Sequence, residues 1–516
     1  MEILAFALYF IAMLSIGLFF FFKSKASINS EKEYFLGNRS MGPWVTAMSA
    51  EASDMSGWLL MGFPGSVLAF GMGKVWIGIG LGLGTALNWI IVAKRLRRFS
   101  RAANDSITLP QYLTNRFATQ SPILKIVCAV IFLISFTVYV SSAFVAGKNV
   151  MCAVIPWFAN HEMLAMSVFA VIIVIYTFLG GYRAVCWTDF FQGLLMLVAL
   201  LAVPIIMSTG SFDASFAGAF AEGITPFGTN PFVADWREIV TGLSWGLGYF
   251  GMPHIIVRFM AIKKPNMIKK SAVVAIVWVI LTLGAAIAIA ILGRTFILSD
   301  GKSLAELLIP AGAQQNIFIT VVQDMFPGII AGILLAAIVA AAMSTADSQL
   351  LVASSSFTSD IYKPLLRKEK AGEKEVLWVG RIVVLLVSVV AFCIASSGIN
   401  NANSWANSIM SMVENAWGLF GASFGPVVIL SLFWKRFNYA GACAGIIAGA
   451  VVDIAWLLLF TNTIMPALIT NLGSYEILPG FIANAVVAVI VSFVTKAPSK
   501  EVEAIFVGAT DPSIDD

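Results

Sequence analysis

Apolar runs of about twenty residues recur from Ile3 almost to the carboxyl end of this chain, each long enough to cross a bilayer as a helix. Lipid offers no partner for backbone N–H and C=O groups, so a spanning segment must satisfy them internally. Of the 516 residues, 59% are hydrophobic and only 12% are charged, against about 25% charged in a soluble domain. A polytopic all-α membrane protein follows, with roughly thirteen helices centred near residues 13, 52, 84, 133, 173, 198, 248, 284, 338, 387, 419, 448 and 485.

The connecting loops test that count. Lys23, Lys25, Lys32 and Arg39 follow the first run, and Lys94, Arg95, Arg97, Arg98 and Arg101 the third. Arg183 follows the fifth; Arg258, Lys263, Lys264, Lys269 and Lys270 follow the seventh. Lys363, Arg367, Lys368, Lys370 and Lys374 follow the ninth, and Lys435 and Arg436 the eleventh. Loops after even-numbered runs are poor in basic residues; Ser208–Glu238 carries Asp213, Glu222, Asp235 and Glu238 against Arg237. The positive-inside rule then places the amino terminus outside and the carboxyl terminus inside. The net charge of +4 is a product of this distribution and calls for no nucleic-acid partner.

Several functions are excluded. The five cysteines lack CxxC spacing and the two histidines are too few for an ordinary zinc or haem site. The Gly78–Gly84 run imitates a phosphate cradle but sits mid-membrane without a preceding strand, so close helix packing is its expected role. The tail, Lys496–Asp516, is too short for a nucleotide-binding or signalling domain, which argues against an ATP-driven pump and a sensor. The first run has no basic region before it and reads as a retained helix.

Three polar islands interrupt the apolar runs. The first, Ser49–Trp58, places Glu51, Asp54 and several serines at membrane depth. A carboxylate there costs roughly 2.5–3.5 kcal/mol on insertion scales, so it faces a cavity, a partner or an ion path. Small residues around it let the helix unwind and free carbonyls as ligands. The second, Ser244–His254, holds three glycines and a proline among aromatics, five helices later. Two such interruptions at matching positions of two halves point to an inverted-repeat transporter with its substrate between them. The third, Ala341–Ser348, sets Ser344 and Thr345 beside Asp347, offering hard neutral oxygens of the kind sodium prefers.

Read together, FLGNRSMGPWVTAMSAEASDMSGWLLMGFPG (35–65), ITLPQYLTNRF (107–117), WTDFFQ (187–192), WGLGYFGMPHIIVRFMA (245–261), AAAMST (340–345), LWVGR (377–381) and AWGLFGASFGPVV (416–428) resemble the sodium:solute symporter family. The resemblance implies the leucine-transporter-type fold, with two inverted five-helix repeats at 31–235 and 236–437. The first helix (1–30), two further helices (438–496) and a cytoplasmic tail (497–516) would flank them. It implies sodium-coupled uptake of L-proline by alternating access in a bacterial cytoplasmic membrane, with no cofactor beyond the coupling ion and no enzymatic activity.

By the same resemblance, backbone carbonyls of Ala52, Met55 and Ala341 and hydroxyls of Ser344 and Thr345 would hold sodium. Asp54 would supply nearby charge, and Arg39 matches a family arginine linked to coupling, or is a positive-inside anchor. Substrate would lie against Ser56, Gly57, Trp58, Tyr139, Trp245, Tyr249, Met252 and Pro253, whose backbone and aromatic groups suit a small zwitterion with an apolar ring. Glu51 and Met252 depart from the glycine and glutamine of proline-transporting members. Asp347 and Ser348 also depart from the pattern, and with Asp189 they make a second sodium site possible; alternatively Asp189 is a helix-end dipole partner. Glu414 and Asp453 have no matching role, and helix-end placement accounts for them. Another solute (pantothenate, a sugar, sialic acid or a monocarboxylate) and a sodium channel are the rival readings.

Overall fold

The computed structural model describes residues 1–25, 31–179, 181–209, 231–299, 313–399, 401, 404–461 and 475–511. Asp213 and Glu222 of the acidic loop, and the last five residues of the expected tail, lie outside them. Among the described residues all regular structure is helical, apart from one parallel bridge between Met41 and Ile262.

The main helices are α1 (Glu2–Lys25), α2 (Pro43–Asp54), α3 (Phe63–Phe70), α4 (Val75–Leu87) and α5 (Ile123–Val154). They continue as α6 (Glu162–Leu179), α7 (Tyr182–Thr209), α8 (Trp236–Ser244), α9 (Pro253–Ala261) and α10 (Ile268–Ser299). The remainder are α11 (Gly328–Ser355), α12 (Glu373–Ser397), α13 (Ile409–Phe433), α14 (Tyr439–Trp456) and α15 (Ile477–Val494). A helical segment lies at each expected centre. Ten described stretches are long and apolar enough to cross a membrane. The segments at residues 52 and 248 fall short because they are interrupted, and Glu162–Phe178 because it is brief.

Local chemistry explains the boundaries. Pro43 and Pro253 occupy the first turns of α2 and α9, where no intrahelical donor is lost. Ser408 and Asn438 cap α13 and α14 by accepting from Ser411 N and Gly441 N. α11 is rich in alanine and buried from Leu334 to Ser355, which lets α1, α2, α5 and α7 pack closely around it. Apolar side chains such as Leu386 on α12, Val451 on α14 and Ile490 on α15 point outward, as a lipid-facing surface requires. The glycine run fulfils its expected packing role: Gly80 and Gly84 of α4 lie directly against the backbone of Gly242 and Gly246. All five cysteines are free.

Candidate transport site between two interrupted helices

α2 stops at Asp54 because Met55 leaves helical geometry (φ −82°, ψ 78°). Ser56 N then donates to Asp54 O at 3.0 Å rather than back to Ala52 O, so the Ala52 carbonyl loses its normal helical donor. The chain resumes as a wide helical turn over Trp58–Gly62 before α3. Gly57 is required here: a Cβ on it would come 2.7 Å from the Cβ of Ala146 on α5.

The second interruption follows the same logic. α8 tightens into a 3-10 turn, Trp245–Phe250, and Met252 is extended (φ −79°, ψ 107°) before Pro253 restarts the helix as α9. The two breaks meet at one hydrogen bond. Tyr249 donates its hydroxyl to Asp54 Oδ2 at 2.5 Å, while Trp58 Nε1 and the Tyr139 hydroxyl donate to Asp54 O at 3.1 and 3.3 Å. Asp54 Oδ1 is buried and has no partner among the described residues. The expected substrate residues Ser56, Gly57, Trp58, Tyr139, Tyr249, Met252 and Pro253 are thus gathered around this junction, all buried. Trp245 is held slightly apart, its ring 5.0 Å from that of Tyr475.

Three of the oxygens expected to hold sodium meet where α2 faces α11. Ser344 Oγ donates to the released Ala52 carbonyl at 2.7 Å and lies 3.2 Å from Ala341 O. Thr345 Oγ1 is buried with no hydrogen-bond partner. Carbonyl oxygens of Ala52 and Ala341 thus lie within hydrogen-bond reach of the hydroxyl of Ser344 where α2 meets α11, neutral oxygens of the kind a monovalent cation takes. Glu51, one turn before Asp54, is a further buried carboxylate and accepts from Trp89 Nε1 at 2.9 Å.

The residues named for a second sodium are arranged differently. Asp189 is buried about two turns into α7, beyond the first turn in which a helix dipole acts. Its Oδ2 accepts from Arg258 Nη2 at 2.9 Å and from Ser49 Oγ at 2.7 Å. The same guanidinium reaches Ser348 Oγ at 2.5 Å through Nη2, Ser49 Oγ at 2.9 Å through Nε and His254 O at 2.5 Å through Nη1. Asp347, also buried, makes no hydrogen bond of good geometry. A fixed cation from α9 thus stands where Asp189 and Ser348 meet. Arg258 is consequently no loop anchor: its side chain is 1% exposed.

Arg39 is likewise buried and lies away from the sodium oxygens. It donates to Asp105 Oδ1 at 2.8 Å, Ser106 O at 2.8 Å, Ser100 Oγ at 3.1 Å and Met260 O. Lys32 pairs with the same Asp105 carboxylate. Beside this cluster Lys263 N donates to Met41 O at 3.0 Å, joining the entrance of the first interrupted helix to the exit of the second. A simple surface anchor would not be enclosed by so many acceptors, so Arg39 is a clamp between chain segments.

Sequence reasoning passed over Asn88, Trp417 and Tyr475. Asn88 Nδ2 donates to Tyr249 O at 3.0 Å, and Trp417 Nε1 donates to Trp245 O at 2.8 Å with its ring 5.0 Å from Tyr249. Trp417 lies within a family-like stretch, so the signal was available; nothing local marked the other two.

An all-helical chain whose two interrupted helices meet at a carboxylate has the architecture of transporters of the leucine-transporter-type fold. The fold is shared with a Na+-coupled sialic acid symporter solved in a substrate-bound outward-open state: TM-score 0.74 at 19% identity, covering 96% of this chain and 98% of that one. It is shared more distantly with MhsT in complex with L-phenylalanine, at TM-score 0.52 and 15% identity over 87% and 97% of the two chains. The sodium:solute symporter family profile matches residues 34–449, and the chain belongs to that family. Sodium/proline symporters of Staphylococcus aureus strains JH9 and NCTC 8325 are each 41% identical over 504 residues, 96% of this chain and 93% of theirs.

Proposed function

We propose that this chain is a secondary active transporter that takes up L-proline with sodium across a bacterial cytoplasmic membrane by alternating access. The observation that carries the reading is the Asp54–Tyr249 hydrogen bond, which joins both helix breaks next to the Ala52, Ala341 and Ser344 oxygens. The names of the 41%-identical relatives supply the ion and the solute. Those relatives are symporters, which also favours a transporter over an enzyme or channel.

In this reading the chain crosses the membrane about thirteen times, with its amino terminus outside and its carboxyl terminus inside. Residues 31–235 and 236–437 are the inverted repeats. Sodium binds carbonyls of Ala52, Met55 and Ala341 and hydroxyls of Ser344 and Thr345, fastening α2 to α11. Asp54 lowers the energy of the ion from the adjacent turn and passes its presence to the second break through Tyr249. Proline lies between the breaks, its carboxylate and ammonium meeting main-chain groups freed there and its ring meeting Trp58, Tyr139 and Tyr249. Rocking of the repeats, with release of the Arg39 clamp, then opens the site inward.

We further propose one sodium per proline. Arg258 already neutralises Asp189 and contacts Ser348, so a second sodium would have to displace a tethered guanidinium. A potential of 100 mV supplies roughly 2.3 kcal/mol per charge, and a tenfold sodium gradient about 1.4 kcal/mol more. One sodium therefore supports accumulation on the order of several hundred-fold.

The test is uptake of labelled proline into proteoliposomes with and without an imposed sodium gradient, in the presence of competing solutes. Sodium-independent uptake, or indifference to excess proline analogues, would refute the reading. Met252 motivates a second solute reading, because a buried thioether offers the substrate no strong hydrogen bond. Stronger competition by pantothenate, a sugar, sialic acid or a monocarboxylate than by unlabelled proline would favour it.

A further inference from the structure

Behind the second interruption, α13, α14 and α15 enclose two carboxyl groups that the transport reading does not use. Asp453 on α14 is 1% exposed and Glu476, at the start of α15, 5% exposed. Asp453 Oδ1 and Glu476 Oε1 are both buried and find no hydrogen-bond partner among the described residues. They converge on one point: a Cβ placed on Gly418 of α13 would lie 3.2 Å from the first and 3.4 Å from the second. Gly480 of α15 keeps the space small, since a Cβ there would come 3.1 Å from Gly449 O and 3.2 Å from the Cβ of Asp453.

Charges near this point do not balance two carboxylates. On α13 the nearest titratable group is Glu414, another acid, and its partner charge is Lys74, which sits 3.2 Å from Glu238. Tyr475 precedes Glu476 and donates its hydroxyl to Glu414 O at 2.6 Å. The second interruption contributes Trp245, which is uncharged. Residues 462–474, which connect the two acids, contain no charged side chain. Two carboxylates in a dry, shared space cannot both ionise without a cation. Among the described residues no group of three or more metal-binding side chains completes a shell for a metal ion.

We propose that Asp453 and Glu476 form a proton-binding site, a carboxylic acid–carboxylate pair holding one proton between α14 and α15. The proton makes the two acids attractive rather than repulsive and so fastens both helices to α13. Its position gives it a route to transport, the one step that rests on the symporter reading. Gly418 follows Trp417, which donates to Trp245 O, and Glu476 follows Tyr475, whose ring packs at a tilt against that of Trp245. Loss of the proton would drive α14 and α15 apart and loosen the support of the second interruption.

The test uses the full chain purified in detergent and, separately, in proteoliposomes, with Asp453→Asn, Glu476→Gln and the double variant. As pH is raised through neutrality into the alkaline range, infrared difference spectra of the wild type should show loss of a protonated-carboxyl band as the pair gives up its shared proton. That component should be missing from each variant. The melting temperature of the wild type should fall over the same pH range by on the order of several degrees, and the variants should lack that step. If a single variant does not purify, the uncharged double variant provides the same comparison. Identical infrared changes in wild type and variants would overturn the proposal. So would disappearance, on adding sodium at constant pH, of the same band that the Asp453 and Glu476 variants lack, which would make sodium the ligand. Neither readout involves proline, so failure here is separable from failure of the transport reading.

Discussion

Removing the Tyr249 hydroxyl should uncouple sodium from substrate. Tyr249→Phe keeps the ring, and with it the 5.0 Å edge contact to Trp417, but deletes the 2.5 Å hydrogen bond to Asp54 Oδ2. A hydrogen bond to a charged acceptor contributes about 1.5–3 kcal/mol. Asp54 Oδ1 is already buried without a partner, so no described neighbour takes over. At 1.4 kcal/mol per decade the change corresponds to roughly ten- to a hundredfold. Because the bond spans both breaks, the sodium concentration for half-maximal uptake and the KM for proline should rise together. Proteoliposome uptake over a sodium–proline concentration grid measures both. Asp54→Asn should produce a similar shift, and the double variant should be much less than additive. A change below about twofold, which is under 0.5 kcal/mol, or additive single effects, would refute the claim that this bond transmits sodium binding.

Thr345→Ala should raise the sodium requirement while Thr345→Ser leaves it nearly unchanged, because serine keeps the buried hydroxyl that the proposed site uses; equal loss in both would remove Thr345 from it. Gly57→Ala should weaken proline uptake, since overpacking costs about 1–3 kcal/mol, and adding Ala146→Gly should restore it by vacating the clashing Cβ. Failure of that rescue would locate the glycine requirement elsewhere. Arg258→Gln should destabilise the protein by about 3–5 kcal/mol by stranding Asp189, with Asp189→Asn recovering much of the loss in thermal unfolding; a double variant no better than the single would contradict the pairing. Asp105 lies outside the spans. Partial burial pushes its carboxyl upward, but Lys32 and Arg39 outweigh this and hold it below the usual aspartate range. The clamp's stabilisation is therefore complete above the ordinary value of about 3.9 and is lost only as pH falls through the lower folded value. Between neutral pH and about 5, stability lost in Asp105→Asn relative to wild type should stay constant.

Much of this molecule was legible because lipid leaves few options. Apolar run length located the helices, and Gly, Pro and polar residues inside the runs located both interruptions. Ser344 and Thr345 stood out as adjacent hydroxyls within an alanine-rich helix. What remained hidden depends on tertiary placement. Arg258 precedes Lys263 and Lys264, which do lie in a loop, and only the packing of α9 against α2 and α11 turns it inward onto Asp189. Asp453 and Glu476 are separated by a long connection, so their convergence on Gly418 could not be read from spacing. Tyr475 and Asn88 reach the site through single contacts that no local pattern announces.

The bridge between Met41 and Ile262 has a bearing on how such a protein can change over evolutionary time. Its hydrogen bonds, Lys263 N to Met41 O and Met41 N to Ala261 O, are made wholly by main-chain atoms. Any side chain except proline at residue 263 preserves the donor there, because only proline lacks the N–H. The link between the two interrupted helices is thus insulated from side-chain substitutions around it. In the proposed reading, residues such as Met252 vary to suit a new solute while the two helices stay in register.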